Sequence, residues 1–212
     1  MGTPDFAVES LRKIHTSQLE LAAVVTAPDR PAGRGKKLKA SSVKEYASKN
    51  NIPLLQPTNL KESSFNEELQ KINADLFVVV AFRMLPEIVW SLPKKGTINL
   101  HASLLPNYRG AAPINWALIN GETETGITTF FIEKEIDTGK IIHQKKVSIS
   151  ENDNIGTLHD KLMHEGADLL IKTIYEIKEG SNPSTEQQEL ITNNIKKAPK
   201  INKQTGRIQW NN

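Results

Sequence analysis

Asn99 and His101 stand two residues apart in the segment Ile98-Asn99-Leu100-His101-Ala102-Ser103-Leu104-Leu105-Pro106. The segment reads as a short apolar strand, and on a strand residues i and i+2 point to one face. An amide can donate to an oxygen that gains negative charge, and an imidazole can handle a proton. Two such groups converging just ahead of a Pro/Gly-bearing loop suit chemistry at a carbonyl carbon. The same spacing also fits a hairpin edge whose Asn and His satisfy each other or the solvent, and spacing alone does not separate the two readings.

A third polar side chain joins them from Glu135-Ile136-Asp137-Thr138-Gly139, a Gly-closed turn between two β-runs, 125–132 and 140–149. Asp in such a turn commonly only caps the backbone. Beside an imidazole, however, a carboxylate orients the ring. Asn99, His101 and Asp137 would then be oxyanion donor, proton handler and orienter. The other histidines, His15, His143, His159 and His164, read as structural or surface residues; the last two are five apart on one helix and do not share a face. No metal-ligand spacing, G-x-G-x-x-G or G-x-S-x-G pattern occurs.

The stretch from Arg30 to Lys39 carries Arg30, Arg34, Lys36, Lys37 and Lys39 among Gly and Pro. Such a loop is either a solvated basic surface or a contact for a phosphate backbone. It has no aromatic residue for base stacking and lacks the glycine spacing and Ser/Thr of a phosphate-cradling Walker loop.

The elements that must hold these residues alternate. Thr3 and Pro4 suit a helix start running to about His15. An apolar strand spans 21–27, a short helix 42–50 and a strand 52–56. Ser64 and Glu67 give a capping-box pattern for a helix to about Asn73. Strands follow at 75–81 and 97–101, with a short helix at 86–92 between them. Continuous apolar strands alternating with helices predict parallel βαβ units, a Rossmann-like open twisted, mostly parallel sheet with helices on both faces. In such sheets ligands bind beyond the carboxyl ends of the strands, where Asn99 and His101 fall. A helix at 112–119, the two β-runs and a long helix at 154–179 with an apolar face of Ile155, Leu158, Leu162, Leu169, Ile174 and Ile177 complete the pattern. Beyond Gly180 the chain turns polar, with Ile208 and Trp210 as its evident anchors.

The 212 residues carry a net charge of +3, with 24% charged and 38% hydrophobic residues, an ordinary globular composition. The absence of cysteine excludes disulfides, thiolate zinc sites and cysteine nucleophiles, and fits a reducing compartment. The longest apolar run, 76–82, is far short of a membrane span, and the first residues carry no basic-then-apolar leader.

Taken in order, Gly2-Thr3-Pro4-Asp5-Phe6, Pro28-Asp29-Arg30-Pro31-Ala32-Gly33-Arg34-Gly35-Lys36-Lys37, Asn99 to Pro106, Tyr108-Arg109-Gly110-Ala111-Ala112-Pro113-Ile114, Glu124-Thr125-Gly126 and Asp137-Thr138-Gly139 resemble the methionyl-tRNA formyltransferase family, a branch of the folate-dependent formyltransferases. The N-x-H-x-S-L-L-P and D-T-G elements belong to the wider group, and the basic loop narrows the match. The resemblance implies formyl transfer from 10-formyltetrahydrofolate to the amine of initiator methionyl-tRNA, in the cytoplasm, by a monomer without metal. It implies Asn99, His101 and Asp137 as catalytic residues. It places Ser103, Leu104, Leu105 and Pro106 on one wall of the folate site and Phe82, Arg83, Met84 and Leu85 on the other. Arg34, Lys36, Lys37 and Lys39 would meet tRNA. Residues 1–180 would form the catalytic domain, with its first strand missing before Gly2, and 181–212 a trailing segment toward an absent C-terminal β-barrel that binds tRNA. A sugar-nucleotide N-formyltransferase shares the core and the trio but does not need the basic loop. A folate-deformylating hydrolase could use the trio to activate water, and a non-catalytic tRNA-binding module would not need the trio.

Overall fold

The computed structural model describes residues 1–32, 37–191 and 194–207. Arg34, Lys36, Ile208 and Trp210 lie outside the described residues, as does the side chain of Lys37. Helix α1 (Phe6–His15) leads to β1 (Val24–Val25), then to a small antiparallel hairpin of β2 (Arg30–Ala32) and β3 (Lys37–Lys39) where the sequence suggests only a loop. Helix α2 (Ser42–Lys49), β4 (Leu54–Leu55), α3 (Ser63–Ile72), β5 (Phe77–Val80), α4 (Glu87–Trp90) and β6 (Thr97–His101) follow. Then come β7 (Arg109–Gly110), α5 (Pro113–Ile119), β8 (Glu124–Phe131), β9 (Ile141–Ser148), α6 (Ile155–Glu179) and β10 (Lys197–Ala198).

β4 and β1 pair in parallel, as do β5 and β6; β8 and β9 continue that sheet antiparallel. Met1 and Gly2 join the two parts. The Gly2 amide donates to Val25 O at 3.0 Å, the Val80 amide to Met1 O at 2.9 Å, and the Met1 amine to Val78 O at 2.6 Å. The order β4, β1, Met1–Gly2, β5, β6, β8, β9 is the expected open, mostly parallel sheet. On the far side of Met1 a cavity of about 570 Å³ separates β1 from β5, lined by Leu19, Leu21, Ala23, Phe77, Val78 and Ile174.

Both faces of the sheet are covered, which is why its central strands are apolar without alternation. Val80, Ile98 and Leu100 pack with Phe6, Leu11, Leu158, Leu162 and Leu170 of α1 and α6. Phe77 and Val79, one residue out of phase, pack with Phe65, Leu69 and Val89 of α3 and α4. On β6, Ile98 and Leu100 enter the layer of α1 and α6, which fixes its register and turns Asn99 and His101 to the other face.

The expected boundaries shift where local chemistry differs. Asp5, not Thr3, caps α1, its carboxylate accepting from the Phe6 amide at 3.0 Å. The Ser64–Glu67 capping box does not form, because α3 starts at Ser63 with Glu62 as an unbonded cap. Strand pairing of 21–27 contracts to Val24–Val25, bounded by Pro53, which lacks an amide to extend the ladder. Ile155 is 46% exposed rather than part of the buried face of α6. The polar trailing segment is anchored by residues its composition does not advertise: Thr185 bridges Ile141, Gln187 is buried, and β10 pairs in parallel with β7. Among the described residues no helix is long and apolar enough to cross a membrane.

Candidate active site

The carboxyl end of β6 opens into a cavity of about 950 Å³, and Asn99, His101 and Asp137 all line it. His101 is buried, its ring edge-on to Phe130 at 6.5 Å. Its Nε2 lies 2.9 Å from Tyr108 O. A carbonyl oxygen can only accept, so Nε2 is the donor and Nδ1 is turned toward Asp137. Nδ1 and Asp137 Oδ2 are 3.9 Å apart, an ion-pair distance but too long for a hydrogen bond. The Asn99 side chain presents an amide to the same space, and its buried Oδ1 has no partner among the described residues. Its side-chain nitrogen makes no hydrogen bond among the described residues, which leaves a donor on the cavity wall for a ligand.

Asp137 is delivered by a tight turn between β8 and β9. Its backbone is left-handed, with φ of 55°, and Oδ2 accepts from the Gly110 amide at 2.9 Å. Gly139 closes the turn because a Cβ there would sit 1.8 Å from Phe131 O. Gly110 has φ of 125° and would place a Cβ 2.5 Å from Ala198 O, so both the Asp137 contact and the β10 pairing need a glycine.

Phe82, Arg83, Met84 and Leu85 line one end of the cavity, with Trp90 and Ile132 beside them. Arg83 Nη1 donates to Thr58 O at 3.0 Å, Nη2 donates to Pro57 O, and the guanidinium lies 5.5 Å from the Phe82 ring centre. Burial, with Arg30 nearby, lowers the Arg83 pKa from its ordinary value. Ser103, Leu104, Leu105 and Pro106 are not on the cavity wall. Their loop turns inward instead. Thr128 Oγ1 donates to Ser103 O at 2.6 Å and accepts from the Leu105 amide at 3.2 Å. Gln144 Nε2 donates to Leu105 O at 2.8 Å, Ser103 Oγ to Asn107 O at 2.7 Å, and Leu105 packs on Phe130 and Ile141. This segment shapes the site by holding the end of β6.

The opposite end of the cavity is formed by Pro4, Phe6, Ala111–Asn115, Ile155 and His159. His159 meets Phe6 edge-on at 5.3 Å, with Nε2 3.6 Å from Asp5 Oδ1. Its expected structural or surface role understates a position on the cavity wall. Helix periodicity says which face a residue occupies, not that α6 begins over the entry to α1. Lys39 is exposed on the β2–β3 hairpin and does not line the cavity.

The sequence pattern of the formyl transferase family matches residues 1–174. The methionyl-tRNA formyltransferase of Bacteroides fragilis is 55% identical over 212 residues, covering all of this chain and 65% of that protein. The chain thus spans just under two thirds of the length of that curated relative. Among solved structures, an N-formyltransferase of Helicobacter canadensis in complex with folinic acid and dTDP-3-aminofucose superposes with a TM-score of 0.68. It is 26% identical over 96% of this chain and 70% of that one. A phosphoribosylglycinamide formyltransferase of Anaplasma phagocytophilum, at 22% identity, TM-score 0.69 and 84% coverage of each chain, has the same fold.

Proposed function

The chain belongs to the formyl transferase family, and from that premise we propose that it transfers the formyl group of 10-formyltetrahydrofolate to the α-amine of initiator methionyl-tRNA. The observation that carries this reading is the open Asn99 amide beside buried His101 and Asp137, at the strand end where a two-ended cavity begins. The folate supplies an activated formyl group on N10: the acceptor amine attacks the formyl carbon, the N10–C bond breaks, the proton lost by the amine is taken up by N10, and tetrahydrofolate leaves. Phe82, Arg83, Met84 and Leu85 border the end that would hold it, and the wall at Ala111–Asn115, Ile155 and His159 faces the acceptor.

The residues divide the work by their partners. Asn99 is the group left to meet the reacting centre: its side-chain nitrogen donates to the developing oxyanion. The His101 ring donates to Tyr108 O through Nε2 and turns Nδ1 toward the Asp137 carboxylate, which places an imidazole beside the developing oxyanion. Asp137 orients the ring through its anchored Oδ2. Removing one oxyanion donor of this kind typically costs about 10²–10³ in rate. The basic segment 30–39, with Arg34, Lys36, Lys37 and Lys39, contacts acceptor phosphates; 55% identity to a methionyl-tRNA formyltransferase supports tRNA over a smaller acceptor. Residues 1–180 carry the catalytic residues, and Gln187 and Lys197–Ala198 of the trailing segment pack on them. The enzyme works as a cytoplasmic monomer in translation initiation.

The test is formyl transfer from 10-formyltetrahydrofolate to methionine-charged initiator tRNA, run beside a panel of amino-sugar nucleotides. Transfer to the charged tRNA alone is the expected result. Transfer to a sugar amine with none to tRNA would overturn the acceptor and leave the folate chemistry standing.

A further inference from the structure

We infer that Gln187, in the trailing segment, is a positioning residue that sets Asp137 against His101. This rests on the formyl-transfer reading above. Gln187 is 1% exposed, and its amide bonds the backbone of the Asp137 turn on one side and the Arg109 side chain on the other. Its Nε2 donates to Asp137 O at 3.0 Å and to Gly139 O at 2.8 Å. Its Oε1 accepts from Arg109 Nε at 3.0 Å and from Arg109 Nη2 at 2.6 Å. Arg109 is the neighbour of Gly110, whose amide holds Asp137 Oδ2, and of Tyr108, whose carbonyl holds His101 Nε2.

One buried amide therefore ties the backbone of the Asp137 turn to the side chain of Arg109, whose two chain neighbours present the backbone partners of the catalytic pair. Asp137 needs such a tie. Its φ of 55° is left-handed, a region Asp tolerates better than most residues, so it is the surrounding bonds rather than the residue type alone that fix the turn. The local sequence offers a glycine at 139 but nothing at 137 itself. A carboxylate that stops at 3.9 Å from the ring also has no direct hydrogen bond to set its distance. The same strand is fastened a second time, because β10 pairs with β7, the Tyr108 amide donates to Lys196 O at 2.6 Å, and Trp116 Nε1 donates to Pro199 O at 2.8 Å. These outer fastenings hold the segment down without touching the Asp137 turn, so they serve as the control.

The experiment compares Gln187→Met and Gln187→Glu with Trp116→Phe in the intact chain. Gln187→Met keeps the length and burial but loses every bond, and Gln187→Glu keeps the Arg109 contact while losing both donors to the turn. Steady-state formyl transfer gives kcat and KM for donor and acceptor, and amide exchange at Gly110 reports the bond to Asp137 without any turnover. Misplacement of a reacting group by about 1 Å can cost about 10²-fold, so kcat is expected to fall roughly ten- to hundredfold in both Gln187 variants. KM for each substrate should stay within about twofold, and Gly110 exchange should accelerate by about tenfold or more. Trp116→Phe should keep wild-type kcat. Unchanged kcat in a folded Gln187 variant, or a loss that tracks the folded fraction with Gly110 exchange unchanged, would overturn the inference. A wild-type chain inactive toward every acceptor, with Gly110 exchange still faster in the Gln187 variants, would fail the functional reading alone.

Discussion

Changing Asp137 to Asn separates charge from shape at the site. Asn is isosteric, tolerates the left-handed backbone that Asp137 occupies, and keeps an oxygen to accept from the Gly110 amide. What it removes is the negative charge 3.9 Å from His101 Nδ1, between side chains that are only 8% and 12% exposed. Two unit charges at that separation, in an effective dielectric of about 20, attract by about 4 kcal/mol. If His101 carries its charge in the transition state, losing that attraction slows the chemical step by about 10³-fold. Fold stability should move by less than about 1 kcal/mol, because the backbone bonds at Gly110, Gly139 and Gln187 remain. The assay is single-turnover formyl transfer at saturating donor and charged tRNA, beside a denaturation curve. A loss of less than about tenfold in a normally stable protein would show that the charge is not used. A loss matched by an equal drop in folded protein would assign Asp137 to the turn rather than to the chemistry.

Three further outcomes follow from particular contacts. Thr128→Val should destabilise the fold by about 3 kcal/mol in urea, because it strands Ser103 O and the Leu105 amide in a buried place, whereas Thr128→Ser should cost less than about 1 kcal/mol; equal effects would remove the hydroxyl from the account. Replacing Arg34, Lys36 and Lys37 with Ala should raise KM for charged tRNA and flatten its dependence on salt by up to about three phosphate contacts while sparing KM for folate, and an unchanged salt slope would exclude the basic segment from tRNA binding. Glu122 has its pKa held below the usual 4.5 by Lys196 and then by Tyr108. A depressed carboxylate stabilises the fold fully above its unfolded pKa and loses that stabilisation as pH falls through the folded value. The melting temperature of the wild-type protein should therefore drop more steeply below about pH 4.5 than that of Glu122→Gln, and parallel curves would show that the pair contributes nothing.

The parts of the site that were legible in the sequence are those that depend on period. Asn99 and His101 share a face because a strand alternates, and β6 spans Thr97–His101 as its apolar pattern predicts. Glycine and aspartate punctuation gave the turn at Asp137. What periodicity cannot give is which distant backbone completes the site. The carbonyl that holds His101 belongs to Tyr108, at the end of a loop with no pattern of its own. The Ser103–Pro106 segment resembles a ligand wall in sequence yet folds inward, because Thr128 and Gln144 on two later strands capture its backbone. Composition is a still weaker guide beyond Gly180. Most of that stretch is exposed, yet Gln187, at 1% exposure, bonds to the loops around the site. A buried glutamine and a solvated one look alike in a sequence; only a fold that sets Arg109 and Asp137 on either side of Gln187 tells them apart, so the segment whose composition reads as a linker belongs to the architecture of the catalytic pair.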